Sequence, residues 1–216
     1  MMDEVDREGM SAEFDGILRA TGRNGMEGVL DGLRRLGFHE APASSAFHCA
    51  YPGGLLEHSL NVYRQMAGLC RMERELHGVH VPDDTIAITA LLHDVCKAEV
   101  YRRVEKFRKD RDGRWERYMA YSPDHSRMPL GHGEKSVIRL LRMGLELRED
   151  EIIAIRWHMG AWDLSGYGDA KAGFNAACDR TPALPILMAA DSLASRISER
   201  REEGCGNNPA AEDAKR

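Results

Sequence analysis

The sequence predicts an all-α bundle carrying one small β-hairpin, on three observations. Apolar residues recur at intervals of three and four along most of the chain, as in Leu56, Leu60, Tyr63, Ala67 and Cys70. The run Ile86-Ala87-Ile88-Thr89-Ala90-Leu91-Leu92 is apolar on nearly every side, so it belongs at the centre of a core. Between 101 and 121 the pattern changes. Tyr101, Val104, Phe107, Trp115, Tyr118 and Tyr121 interleave with charge around Asp110-Arg111-Asp112-Gly113, a hairpin signal.

The elements follow in order. Residues 1–10 read as a frayed polar start. Phe14 to Leu36 has helical spacing at Met26, Val29, Leu30, Leu33 and Leu36 but is interrupted by five glycines, so it needs tertiary packing to persist. A loop follows at 37–52, in which His39 and His48 are expected to be solvated. Gly54 to about His77 is a helix, stopped by Gly78 and Pro82. Asp83 or Asp84 can cap the central apolar helix, which runs to about Cys96. After the hairpin, helices are expected from about His132 to Met143, from Glu149 or Asp150 to His158, and from Ala183 to about Arg200. Thr181-Pro182 provides the start signal of the last one. Residues 160–181 read as a loop and a short helix anchored by Trp162, Tyr167 and Phe174. The expected organisation is an N-terminal helical segment and loop (1–52) packing on a main domain (53–200), with a disordered tail (201–216).

Composition limits the function. With 216 residues and 43% hydrophobic content the chain can build a full core. A net charge of −5 argues against coating nucleic acid by charge alone. No apolar run approaches the ~18 residues a membrane span needs. The acidic N-terminus lacks a signal peptide's layout, and five cysteines without paired spacing fit a reducing cytoplasm. The hairpin segment carries eight basic residues against four acids. It reads as a solvated flap first, and as a basic cover for a phosphate or nucleic-acid strand second.

Chemistry concentrates where polar residues interrupt apolar helices, at His58, His93, Asp94, His132, His158 and Asp191. Any one of them alone reads as a hydrogen-bonded core residue. About one helix pair separates successive members, which is how a bundle assembles a buried site from facing helices. Four imidazoles and two carboxylates suit iron, manganese or zinc better than calcium or magnesium. Six ligands are too many for one ion that must also hold water and substrate. They suit two ions bridged by a carboxylate, with Asp94 as the bridge.

These residues stand in Gly53-Gly54-Leu55-Leu56-Glu57-His58-Ser59, Leu92-His93-Asp94-Val95-Cys96-Lys97, Gly131-His132-Gly133-Glu134, Arg156-Trp157-His158 and Ala190-Asp191-Ser192. In that order they resemble the HD-domain superfamily of metal-dependent phosphohydrolases, over residues 53 to about 200. The resemblance implies an HD-fold helical bundle with the hairpin as an insertion. It implies a first metal on His58, His93, Asp94 and Asp191, and a second on His132, His158 and the bridging Asp94. It also implies a divalent transition metal (Fe, Mn or Zn, with Mg or Ni as options) and hydrolysis of a phosphomonoester or phosphodiester by a metal-bridging hydroxide. The substrate expected is a nucleotide or related small phosphorylated molecule. Asp94 and Lys97 are the catalytic candidates; Lys97 matches the family lysine that faces the substrate's phosphate. Arg156 and His125 are further candidates for substrate contact.

Cys96 departs from the family pattern, in which a glycine commonly stands at that helix end. Three alternatives share the ligand order: a mixed-valent di-iron oxygenase, a 3′-5′ exoribonuclease-like nuclease, and a non-catalytic ligand-sensing module. Membrane and nucleic-acid partners are not favoured, and the sequence sets no oligomeric state.

Overall fold

A computed structural model describes residues 4–110, 112–160 and 168–199. Nine helices and one hairpin are described: α1 (Glu4–Ala20), α2 (Met26–Leu36), α3 (Gly54–His77), α4 (Asp83–Leu92), α5 (Lys97–Val100), β1 (Tyr101–Lys109), β2 (Trp115–Pro123), α6 (His132–Arg142), α7 (Glu149–Trp157), α8 (Gly168–Arg180) and α9 (Ala183–Leu193). A 3₁₀ turn, Phe38–Glu40, follows α2, and a π-helical turn, Ala194–Ser198, continues α9. The expected helical class and hairpin are both present. No described helix is long and apolar enough to cross a membrane.

The core has two halves that share α4. Phe14, Leu18, Leu30, Leu33, Leu55, Leu56 and Leu60 pack with Ile88, Leu91 and Leu92 on one side. Val62, Met66, Ala154, Leu184, Leu187 and Ala190 pack with Ile86 and Ala90 on the other. Every residue of α4 from Thr85 to Leu92 is buried, as its all-round apolar composition requires. The end of α4 therefore opens into the middle of the molecule.

Local differences from the sequence reading have physical causes. The glycine-rich stretch 14–36 is two helices. The chain breaks at Gly22 and Gly25, whose φ values of 60° and 85° lie in the left-handed region that glycine adopts freely. Helix α1 begins well before the polar start would suggest, and Met10 packs on the core. Arg23, in the break, donates to Glu151 at 2.7 and 2.8 Å and to Asp84 at 2.8 Å, tying the N-terminal pair to α4 and α7. His39 is buried rather than solvated, between the rings of Phe14 and Phe38 with Asp15 at 3.7 Å. The central helix stops at Leu92, four residues before the expected end, and two tight turns lead to α5. Cys96 holds right-handed angles (φ −66°, ψ −21°), so this turn needs no glycine. The strands pair from Tyr101↔Pro123 to Lys109↔Trp115. Phe174 meets Trp157, with ring centroids 6.0 Å apart. The other two expected anchors, Trp162 and Tyr167, and the expected tail lie outside the described residues.

Candidate metal centre

Five separate segments deliver polar side chains to one point beside the end of α4. His58 comes from the second turn of α3, on the face that also buries Leu55 and Ser59. His93 and Asp94 leave α4, and Lys97 opens α5. His132 is the first residue of α6, and His158 directly follows α7. Asp191 lies in the last turn of α9. The approach of α6 to α7 depends on Gly133. A Cβ there would stand 2.4 Å from the Arg156 carbonyl oxygen and 2.6 Å from that of Ile155, so the two backbones touch. Glu134 secures this corner by accepting from the Gly131 N–H at 2.9 Å and pairing with Arg156 at 2.7 Å.

All six expected ligands converge. Asp94 Oδ2 lies 3.2 Å from His93 Nε2 and 3.6 Å from His58 Nε2. Its other oxygen, Oδ1, lies 3.6 Å from His132 Nε2 and 3.5 Å from His158 Nε2. One carboxylate thus divides four imidazoles into two pairs. Asp191 Oδ1 joins the first pair, 3.3 Å from His58 Nε2. Lys97 Nζ donates to Asp94 Oδ2 at 2.6 Å.

The proton positions are the informative feature. His93 Nδ1 donates to the Ala90 carbonyl at 2.9 Å, and His158 Nδ1 donates to the Ile155 carbonyl at 2.7 Å. A carbonyl can only accept, so the proton of each neutral ring sits on Nδ1 and Nε2 presents a bare lone pair. Those lone pairs face carboxylate oxygens, at 3.2 Å for His93 and 3.5 Å for His158, while His132 Nε2, which can carry a proton, meets His158 Nε2 at 3.1 Å. Acceptor facing acceptor is repulsive unless a cation lies between. Among the described residues, His58 Nε2, His93 Nε2 and Asp94 Oδ1 are buried without a hydrogen-bond partner, a state that usually carries a large desolvation penalty. Charge points the same way. Asp94, Asp191 and Glu199 place three carboxylates around this point; Lys97 pairs with Asp94, and His58 lies against Asp191 and Glu199.

The electrostatics follow from this imbalance. Burial favours the neutral form of Asp94, but the ammonium of Lys97 and then the surrounding imidazoles outweigh it and hold the carboxyl well below its usual range. Burial favours neutral His58 too, yet Asp191, Asp94 and Glu199 push its pKa well upward. At His132 burial outweighs the attraction of Asp94, and the neighbouring His158 and Lys97 add to it, so the pKa falls to about 3. The donors fit a divalent ion of borderline character, since imidazole nitrogen and carboxylate oxygen suit iron, manganese and zinc. Cys96, the nearby thiol, is occupied in donating to the His132 carbonyl at 3.3 Å.

Two other expected residues stand apart from this donor set. His125 is exposed and meets Lys135 Nζ at 3.2 Å. Arg156 pairs with Glu134 and lies 4.2 Å over the ring of Trp157. Two residues that the sequence reading passed over belong to the centre. His48 was expected in solvent, but its Nε2 is buried and its ring lies 4.9 Å from that of His58. Burial lowers its pKa to about 4. Glu199 is buried against His58 Nδ1 at 3.0 Å. No periodic signal marks His48; the loop places it, through Ser44 Oγ donating to the His48 carbonyl at 2.7 Å.

The helical bundle gathers imidazoles and carboxylates from α3, α4, α6, α7 and α9 around one buried aspartate, in groups that could hold a metal ion. The HD domain family model matches residues 55–196, about two thirds of the chain, and the chain belongs to that family. The chain is also similar to a dihydroneopterin 2′,3′-cyclic phosphate phosphodiesterase of Methanocaldococcus jannaschii, 38% identical over 86 residues. That match spans 40% of this chain and 32% of the archaeal protein. No solved structure matches.

Proposed function

We propose that this chain is a metal-dependent phosphohydrolase acting on a phosphodiester or phosphomonoester of a nucleotide or a related small heterocyclic molecule. The observation that carries this reading is a cluster of four imidazoles whose Nε2 atoms face the oxygens of Asp94, with Lys97 beside them. His58, His93, Asp94 and Asp191 would hold one ion, and Asp94, His132 and His158 a second. Bound there, divalent ions supply a strong nucleophile at neutral pH and draw charge from the phosphoryl oxygens.

The chain's own groups complete the chemistry. Lys97 commits one N–H to Asp94 and has further donors for the oxygens of a phosphate, where negative charge gathers in the transition state. Asp94 raises the pKa of Lys97 against the effect of burial, so the ammonium stays charged through neutral pH. The carbonyls of Ala90 and Ile155 fix the tautomers of His93 and His158. The archaeal relative's named substrate is a five-membered cyclic phosphodiester, which favours small cyclic phosphates as first substrates to try.

The test is to strip the protein of metal, reload it with manganese, iron or zinc, and assay nucleoside 2′,3′-cyclic phosphates, nucleotides and a chromogenic diester. Hydrolysis that returns with metal and is lost in Lys97→Met and Asp94→Asn supports the reading. Oxygen consumption without phosphate-ester cleavage points to an oxygenase. Metal binding without turnover points to a sensing module.

One observation favours a second reading. Phe107, Trp115 and Met119 are 63%, 70% and 52% exposed on the hairpin, and Lys109 and Arg108 lie over the rings of Trp115 and Tyr118. Exposed aromatics among cations are a stacking platform for a single strand. Charge reversal at Lys106 and Lys109 should then weaken RNA cleavage and spare a small ester.

A further inference from the structure

Glu199 has no part in the ligand set proposed above, yet it is buried, and both its oxygens face His58 Nδ1, at 3.0 and 3.1 Å. Asn61 donates to the same carboxylate at 3.2 Å. Helix geometry explains how it arrives there. At about 100° per residue, a regular α-helix would carry the residue eight positions after Asp191 some 80° away from it around the axis. Here the helix widens over Ala194–Ser198, and the Glu199 N–H bonds to the Ala194 carbonyl, five residues back, at 3.0 Å. Each step of such a turn rotates through a smaller angle, which returns Glu199 to the face that carries Asp191. Ser195 Oγ donates to the Asp191 carbonyl at 2.8 Å across the start of this turn. One helix thus sends two carboxylates to the two nitrogens of one imidazole: Asp191 to Nε2 and Glu199 to Nδ1.

We propose that Glu199 is a positioning residue, held by Asn61 and the π turn, that keeps the proton of His58 on Nδ1 and so aims the Nε2 lone pair at the ion site. The inference rests on the metal-centre reading above. His93 and His158 receive the same service from backbone carbonyls. His58 sits in the second turn of α3 and takes its partner from the C-terminal end of α9. A carboxylate partner also raises the basicity of the bound nitrogen, and loss of such a partner typically weakens metal binding about 10–100-fold.

The experiment is calorimetric titration of metal-free protein with Zn²⁺ and Mn²⁺, comparing wild type, Glu199→Ala and Glu199→Gln, with thermal unfolding of each metal-free form alongside. Long-range ¹H–¹⁵N spectra of the Zn²⁺-loaded forms read the His58 tautomer directly. Glu199→Ala is expected to lose roughly 10–100-fold in affinity for one ion and little for the other. Glu199→Gln, whose amide oxygen still accepts the Nδ1 proton, is expected to recover most of that loss and to keep the Nδ1–H signal. Equal affinity in wild type and Glu199→Ala overturns the proposal, as does Glu199→Gln as weak as Glu199→Ala. If Glu199→Ala does not fold, a wild-type His58 spectrum showing the proton on Nε2 overturns it independently. Wild-type protein that takes up no divalent ion overturns the metal-centre reading itself, a result distinct from these.

Discussion

Two buried polar clusters lie at opposite ends of α4, and they differ in how their hydrogen bonds balance. At the N-terminal end, Arg23 donates to Glu151, Asp84 and the Glu146 carbonyl, Arg148 donates to Asp84, and Thr85 donates to Glu151. There, donor meets acceptor and cation meets anion. At the C-terminal end, His93 Nε2, whose ring proton is held at Nδ1, faces a carboxylate oxygen, and three carboxylates gather near Lys97. A cluster of the first kind is complete within the chain and holds helices together. A cluster of the second kind could hold a divalent ion. Burial and polarity alone do not separate structure from function here; the proton inventory does.

The largest expected effect tests the balanced end. Arg23→Met removes the cation from two carboxylates, one of them fully buried, and should destabilise the fold by about 3–5 kcal/mol, read by urea denaturation. A loss below 1 kcal/mol would show that the network is not what ties α1 and α2 to the bundle.

The next effect tests the unbalanced end. A divalent ion at 100 times its Kd should raise wild-type stability by about 2.7 kcal/mol per site, and the gain should follow ion concentration. Asp191→Asn should cancel most of that gain. In metal-free protein, the same substitution should change stability by less than half as much as Arg23→Met. A large loss in metal-free Asp191→Asn would mean that the centre is structural.

The smallest effect is a pH dependence at the balanced end. Burial pushes the Asp84 carboxyl up, but hydrogen bonds from Arg23 and Arg148 outweigh it and leave the pKa below its ordinary value. A depressed carboxyl contributes stability that is present above the unfolded pKa of ~3.9 and is lost as pH falls through the folded value. Wild type should therefore exceed Asp84→Asn in stability at pH 6, and the gap should close in the acid range below pH 4. A gap that stays constant down to pH 2 would remove the carboxylate charge from the account.

Much of this contrast was legible in the sequence, and unevenly. His58, His93, Asp94, His132, His158 and Asp191 each stand in an apolar helix or at its end, where the apolar pattern makes a polar residue conspicuous, and the structure brings all six together. Lys97 follows Asp94 by three residues and meets it as one turn of chain allows. Glu199 was hidden because a regular helix would have turned it away from Asp191; a π turn has no reliable signature in composition. His48 sits in a loop, where no period exists to violate. No sequence pattern marks Arg23, which stands between Gly22 and Asn24. Its partners lie 61 and 128 residues away, and only packing brings them near.

The backbone contact at Gly133 sets the span between His132 and His158, the two imidazoles on one side of Asp94. Because main chain touches main chain there, the distance between the imidazoles on α6 and α7 does not depend on how neighbouring side chains fill space. Apolar residues around the corner can be exchanged while that span is kept, whereas one added methyl group at this glycine must lever the helices apart.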